Sequence, residues 1–445
     1  MSDTNAGSLN TVRECVEHIC AGTLTSESLT RQCLENIEQT DNEVSAWAAL
    51  NADIALDKAK ALDQIRKRGE PVGALHGIPV GVKDIFDTKD LPTAIGTDIY
   101  TDRQPETNST VVNKLREAGA FVMGKTVTTE FAFMHPSKTR NPHNSDYSPG
   151  GSSSGSAAAV AAGHVPLAIG SQTNGSVIRP ASFCGVYGFK PSHGIISRNG
   201  ALTTSATLDQ VGLFARDIGD IALFADSLAG FDAADCGSYA EPKPAMLRGY
   251  LSESPVPPTI AWLDMPYADK YSTDVSDGFD ELLAELGNSV ERLPAPQSFA
   301  ALLSCHKIIH EYEIVRCLEH EISNHWDSIS DTIKPTLSHA KTHTDEMYTE
   351  ALEIQKASID WFAQFFNDYD AIITPSAVSE APLFGSTGDP VCCTIWTLCG
   401  LPCISLPLLA GSNELPIGVQ LIGAFRQDDR LLRTTRSLIN QLHNS

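Results

Sequence analysis

Three motifs in this chain bring serine, glycine and lysine together at spacings that could do chemistry. The first, Gly119-Ala-Phe-Val-Met-Gly-Lys-Thr126, fits G-x-x-x-x-G-K-[ST], in which Lys125 would hold a phosphate and Thr126 a magnesium ion. Such a loop needs a strand before it and a helix after it. Here Val111 to Ala118 reads as a helix capped by Gly119, and Ala120 to Met123 reads as an apolar strand. The match is therefore read as accidental, and an ATPase as an alternative to be tested. The second, Gly151-Ser152-Ser153-Ser154-Gly155, fits the nucleophile elbow G-x-S-x-G with Ser153 as nucleophile. The polar turn formers from Pro142 to Pro149 do not make the buried strand that an elbow requires, and after His343 only His443 remains to serve as its histidine.

The third motif is larger: Pro149 to Gly163, followed by Ile169-Gly-Ser-Gln-Thr-Asn-Gly-Ser-Val-Ile-Arg-Pro180 and on to Gly185. A glycine and serine tract is most often a flexible linker. This one runs directly into Ala157 to Ala162, a good helix former, and then into an apolar strand. Serine and glycine backbones at the mouth of a helix offer several N–H donors that converge on one point, which suits an oxyanion.

Together with Gly77-Ile-Pro-Val-Gly-Val-Lys-Asp84, these residues resemble the amidase signature family. The likeness is close over about residues 70 to 235 and returns at Leu398 to Pro407 and Leu415 to Gly423, roughly half of the chain. Residues 240 to 345 match no motif, and substrate choice is expected to be written there. The resemblance implies a Lys83, Ser152, Ser176 triad with Ser176 as nucleophile, a cis Gly151-Ser152 peptide, and an oxyanion hole from the backbone N–H groups of Thr173, Asn174, Gly175 and Ser176. It implies no cofactor and no metal. The chemistry also has a reason of its own. A serine hydroxyl is a poor nucleophile until a base takes its proton, and no histidine lies in the motif. A lysine can act as that base only when neutral, and burial at the end of the apolar run Ile78 to Val82 favours the neutral amine. Ser152 would relay the proton. Two departures from the family pattern stand out. Asn174 replaces a glycine and would have to bear any positive φ there. Arg179 follows Ser176 by three, as in a small-molecule amidase subgroup, with a structural ion pair as its simplest role.

The remaining chemistry-bearing residues suggest less. The chain has 32 basic and 55 acidic residues, a net charge of −23, so neither nucleic acid nor an anionic membrane is an expected partner. The first ten residues, MSDTNAGSLN, lack the features of an export signal, and no run reaches the ~18 apolar residues of a membrane span. A cytoplasmic protein is expected. Eleven cysteines read as reduced thiols, with Cys392, Cys393, Cys399 and Cys403 as buried small hydrophobes. His306 and His310 stand four apart but lack the glutamate of H-E-x-x-H, so no metal is expected there.

The elements that must position these residues follow from periodicity. Ile78 to Val82, Ala120 to Met123, Pro166 to Gly170, Thr259 to Leu263, Ala371 to Thr374, Cys403 to Leu406 and Gly418 to Ile422 read as buried strands. Between them lie helical patterns, such as Tyr348, Leu352, Ile359, Phe362 and Phe366. Alternation of the two predicts an α/β fold with a mixed, largely parallel central sheet covered by helices on both faces. Residues 1–445 are taken as a single domain: an N-terminal helical segment (1–70, with two or three helices and no strand), the catalytic region (71–240), a variable, mostly helical region (241–345) and a C-terminal part (346–445). The prolines between 241 and 258 predict a loop. The reading that results is an amidohydrolase cleaving the C–N bond of a small-molecule amide through a Ser176 acyl-enzyme, with a homodimer left open. Its rivals are the glutamine-hydrolysing subunit of a tRNA-dependent amidotransferase, a ureide or carbamate hydrolase, and a catalytically silent binding protein. Arg316, Tyr312 and His310 are candidates for either pocket or surface.

Overall fold

All seven apolar runs form strands because both of their faces are buried. Ile260 and Trp262 point into one core cluster while Ala261 and Leu263, between and after them, point into another. Leu167 and Ile169 are likewise divided from Ala168. A strand whose alternate side chains all find apolar partners is covered on both sides. The computed structural model describes residues 11–444, so the ten residues on which the expectation of no export signal rests lie outside it.

Among the described residues eleven strands share one sheet: β1 (Trp47–Leu50), β2 (Pro79–Lys83), β3 (Phe121–Thr126), β4 (Leu167–Gln172), β5 (Tyr187–Lys190), β6 (Gln210–Ala215), β7 (Ile260–Asp264), β8 (Val290–Pro294), β9 (Ala371–Pro375), β10 (Cys403–Ala410) and β11 (Pro416–Ile422). Their order is β1-β3-β2-β4-β6-β5-β10-β11-β9-β7-β8. The sheet is mixed, as expected. Its parallel pairings fall in two blocks, β3-β2-β4 and β9-β7-β8, and the pairings between and outside them are antiparallel. The parallel share is smaller than the sequence suggests, since β10 and β11 are joined by a short turn that forces a hairpin.

Four strands escape the sequence reading. β5 and β6 are buried, but glycine interrupts each apolar run. β8 is Val-Glu-Arg-Leu-Pro at the sheet edge and carries no apolar run. β1 is four residues long and pairs antiparallel with β3, which corrects the expectation of a purely helical N-terminal segment. Its three helices, Val12–Ala21, Ser26–Val44 and Ala52–Lys67, are present. The proline-rich stretch holds one short helix, Met246–Leu251. Among the described residues no helix is long and apolar enough to cross a membrane.

Two features of the sheet place the chemistry. β2 and β4 run parallel with Val82 beside Ile169, so their carboxyl ends deliver Lys83 and Ser171 to the same edge. The helix Ser154–Ala161 starts against β3's exit, where a Cβ on Gly155 would sit 2.3 Å from the Val127 nitrogen and 2.4 Å from the Ala46 carbonyl oxygen. Only glycine allows that approach, and it brings Ser152 over the end of β2.

Candidate active site

Lys83 is the last residue of β2 and is fully buried. Its Nζ lies 2.7 Å from Ser152 Oγ and 2.8 Å from Ser171 Oγ. The Gly151-Ser152 peptide is cis. Burial lowers the Lys83 pKa from 10.5 to about 7, with the Asp209 carboxylate pulling weakly the other way. An amine with that pKa is half neutral at neutral pH, which is what a base in this position requires. Ser176 lies beyond β4 and is partly exposed to a cavity of about 400 Å³. No hydrogen bond among the described residues joins its hydroxyl to Ser152.

The segment between β4 and the helix Ile178–Cys184 is held from outside itself. Gln172 Oε1 accepts from the backbone N–H groups of Val177 and Ile178 at 2.8 and 3.0 Å. The carbonyl of Thr173 accepts from His306 Nε2 at 2.8 Å, and that of Asn174 from Thr397 Oγ1 at 2.6 Å. The N–H groups of Thr173, Asn174, Gly175 and Ser176 enter none of the hydrogen bonds of the described residues. Four successive donors at the cavity lining are thus left without an internal acceptor while the carbonyls of Thr173, Asn174 and Gly175 are tied back, so the loop has N–H groups to spare for an oxyanion. Asn174 is not among the residues with positive φ, so the replacement of glycine at this position has no left-handed backbone to bear. Its Oδ1 instead accepts from Thr394 Oγ1 at 2.8 Å.

Sequence reasoning missed Ser171, Gln172, Asp209 and His306. Asp209 is buried and accepts from Thr173 Oγ1 at 2.6 Å and from the N–H groups of Thr204 and Ser205 at 2.7 and 2.9 Å. Because the Thr173 carbonyl must accept, His306 carries its proton on Nε2, and burial lowers its pKa to about 3. Ser171 and Gln172 lie inside the serine and glycine motif and could have been flagged as polar residues at the end of a buried strand. Nothing local marks Asp209, and the spacing of His306 from His310 points to a metal pair and not to the Thr173 carbonyl that His306 holds.

Two side chains that line the cavity have buried polar atoms without partners: Arg179, through Nε and Nη1, and His310, through Nε2. The expected ion pair of Arg179 is not formed. Among the described residues no carboxylate lies within salt-bridge distance, and Nη2 donates instead to the Gly151 carbonyl at 2.7 Å. Burial lowers its pKa to about 10, which still leaves a full charge at neutral pH. The other cavity cations are met: Lys270 pairs with Asp389 at 2.9 Å, and Lys307 lies 3.8 Å from Glu311. His310 packs edge-on against Phe133 and burial lowers its pKa to about 4. Arg316 and Tyr312 are not pocket residues; the guanidinium stacks 3.3 Å over the tyrosine ring on the outer face of the helix Phe299–Cys317.

The competing motifs are occupied by structural work. Lys125 lies inside β3, is fully buried, and donates to the carbonyls of Phe86 and Pro92 and to Thr93 Oγ1 beside Asp84. Ser153 is buried and exchanges hydrogen bonds with the backbone of Ser171. Cys392, Cys393, Cys399 and Cys403 are buried free thiols.

The family model described as Amidase matches residues 28–432. A glutamyl-tRNA(Gln) amidotransferase subunit from Alkaliphilus metalliredigens is 31% identical, over 92% of this chain and 91% of that protein. Among solved structures, one of a vestigial protein complex that bears on the origins of an s-triazine catabolic enzyme superposes with a TM-score of 0.91 at 27% identity, covering 97% of this chain and 98% of the other. The corresponding glutamyl-tRNA(Gln) amidotransferase subunit from Thermotoga maritima superposes with a TM-score of 0.80 at 29% identity, covering 96% and 94%.

Proposed function

The chain belongs to the amidase family, and from that premise we propose that it hydrolyses the C–N bond of a small-molecule amide bearing a carboxylate, through an acyl-enzyme on Ser176. The observation that carries this is the buried Lys83 held 2.7 Å from Ser152 with its pKa brought down to about 7. Neutral Lys83 takes the proton of Ser152 as Ser152 takes that of Ser176. The freed Ser176 Oγ attacks the carbonyl carbon, and the N–H groups of Thr173 to Ser176 receive the oxygen as it gains charge, each such donor contributing about 10²–10³ in rate. Collapse breaks the C–N bond, and the departing nitrogen takes the proton back along the same path. Water then attacks the ester, and the acid leaves. Ser171 accepts from Lys83 and so turns the amine lone pair toward Ser152. The contact from Ser152 to Ser176 tightens when substrate fills the cavity, as catalytic hydrogen bonds in empty sites commonly do.

The carboxylate follows from Arg179. A buried guanidinium with two unpartnered nitrogens, in the same cavity lining as the nucleophile, is a costly arrangement unless a ligand anion completes it. Amides and ureides of small carboxylic acids fit, and so does glutamine. The superposition on a structure that bears on the origins of an s-triazine catabolic enzyme agrees with a small-molecule substrate, and its being a protein complex agrees with a partner chain. The sequence identities favour the second reading, glutamine hydrolysis within a tRNA-dependent amidotransferase. A chain of net charge −23 would then leave tRNA contacts to its partners in that assembly. Ammonia release by the isolated chain from amide acids, ureido acids, carbamates and glutamine separates the two. Turnover of an amide or ureido acid well above that of glutamine supports the first reading. Glutamine hydrolysis alone, raised by the other amidotransferase components and glutamylated tRNA, supports the second.

A further inference from the structure

The helix Phe299–Cys317 carries Glu311 at the edge of the Ser176 cavity, and the short helix Lys334–Ala340 lies across it. Glu311 Oε2 is approached from the second helix and the turn after it by two imidazoles: His339 Nδ1 at 2.8 Å and His343 Nε2 at 2.7 Å. The three ligand atoms lie within 4.8 Å of one another. We propose that Glu311, His339 and His343 form a binding site for a divalent ion of the zinc and cobalt class, which fastens the helix Lys334–Ala340 against the helix Phe299–Cys317 beside the cavity.

Four observations support this. Two imidazoles and one carboxylate are a donor set that zinc takes in three-ligand sites, with water as the fourth ligand. Imidazole donors also select against magnesium and calcium. The charge balance asks for a cation. The Glu311 side chain is only 6% exposed, yet its permanent positive neighbour, Lys307, stands at 3.8 Å and is itself 61% exposed. Beyond its two imidazole contacts, this buried carboxylate has among the described residues only that distant lysine as a permanent positive charge, and an ion between the three ligands would bring positive charge directly to it. Access exists on one side only, because the His339 side chain is 53% exposed while that of His343 is 5% exposed. An ion can therefore enter from solvent and keep a water molecule.

One feature sets the strength. The other ring nitrogen of His343, Nδ1, is buried without a partner among the described residues, so no carbonyl or carboxylate orients that ligand. Absence of such an outer partner weakens metal affinity by about 10–100-fold. The ion takes no part in the Ser176 chemistry. Its effect is on the wall of the cavity: Thr336, from the crossing helix, lines the same space as Glu311 and contacts Met134.

The test uses the full chain, stripped with a chelator and titrated with Co²⁺ while visible absorption is read. One equivalent of a tetrahedral-type cobalt band, displaced by Zn²⁺, is expected in the parent protein. His339→Ala, which removes a half-exposed side chain, and His339→Ala/His343→Ala should both lose the band and lose the Zn²⁺-dependent rise in melting temperature. Circular dichroism and retained fluorophosphonate labelling of Ser176 verify that the variants are folded. Absence of saturable Co²⁺ binding in the parent, or a band that survives in the double variant, overturns the proposal.

Discussion

Replacing Lys83 by arginine keeps a positive charge at the end of β2 and removes the only state that can accept a proton. Burial carries the Lys83 pKa from 10.5 to about 7. At pH 7 the amine is then about half neutral, whereas an unperturbed lysine would be neutral in roughly one molecule in 3,000, a difference of about three orders of magnitude. In the parent enzyme kcat/KM should therefore fall about tenfold for each pH unit below about 7 and level off above it. Arginine stays protonated at every accessible pH, so Lys83→Arg should lose about 10²–10⁴ in rate, as Lys83→Ala does, and show no inflection near neutrality. The same shift has a signature in stability. The folded pKa lies below the unfolded one, so between about pH 7 and 10.5 the unfolded chain binds the extra proton, and this residue's contribution to stability rises with pH across that window. Lys83→Met should lose that part of the slope. The assay is kcat/KM from pH 5 to 9 with urea unfolding across the alkaline range. A folded Lys83→Arg enzyme that keeps a tenth or more of parental activity would refute the argument.

Two further outcomes follow from the site and two from the buried Lys125. Arg179→Gln should lower the preference for a carboxylate-bearing amide over its neutral analogue by about 10–100-fold, the worth of a charge-assisted hydrogen bond, and an unchanged ratio would remove Arg179 from substrate binding. His310→Phe should raise KM about five- to tenfold while the rate of Ser176 labelling by a small fluorophosphonate stays the same, and a matching fall in labelling would mean the change is structural. Lys125→Ala should destabilise the fold by roughly 3–5 kcal/mol in urea, since it leaves Asp84 buried and unpaired. Calorimetry should find no saturable ATP binding in the parent, and ATP binding lost in Lys125→Ala would restore the phosphate-loop reading.

How much of this could be read from the chain depends on range. The seven strands buried on both faces were legible because an apolar run needs no partner to be recognised. β8 was not, since its burial pattern is that of a solvent-facing edge. Lys83 and Ser152 were legible as parts of two motifs, and the fold sets them 2.7 Å apart through the parallel pairing of β2 with β4 and the close approach at Gly155. Asp209 and His306 were illegible for the opposite reason. Each acts through Thr173, 36 and 133 residues away in the chain, and no local pattern encodes such a distance. The question of a positive φ at Asn174 does not arise, because the loop ties its carbonyls to His306 and Thr397 without a left-handed residue there. Arg179 could be located, but its lack of a carboxylate partner among the described residues emerges only once the surrounding carboxylates have been placed.

Covalent labelling locates the nucleophile. The parent protein, treated with a fluorophosphonate and digested, should carry the phosphonyl group on Ser176 by tandem mass spectrometry, with labelling that follows the deprotonation of Lys83 and vanishes in Ser176→Ala. Label on Ser153 that persists in Ser176→Ala would contradict the account and return the nucleophile to the elbow motif.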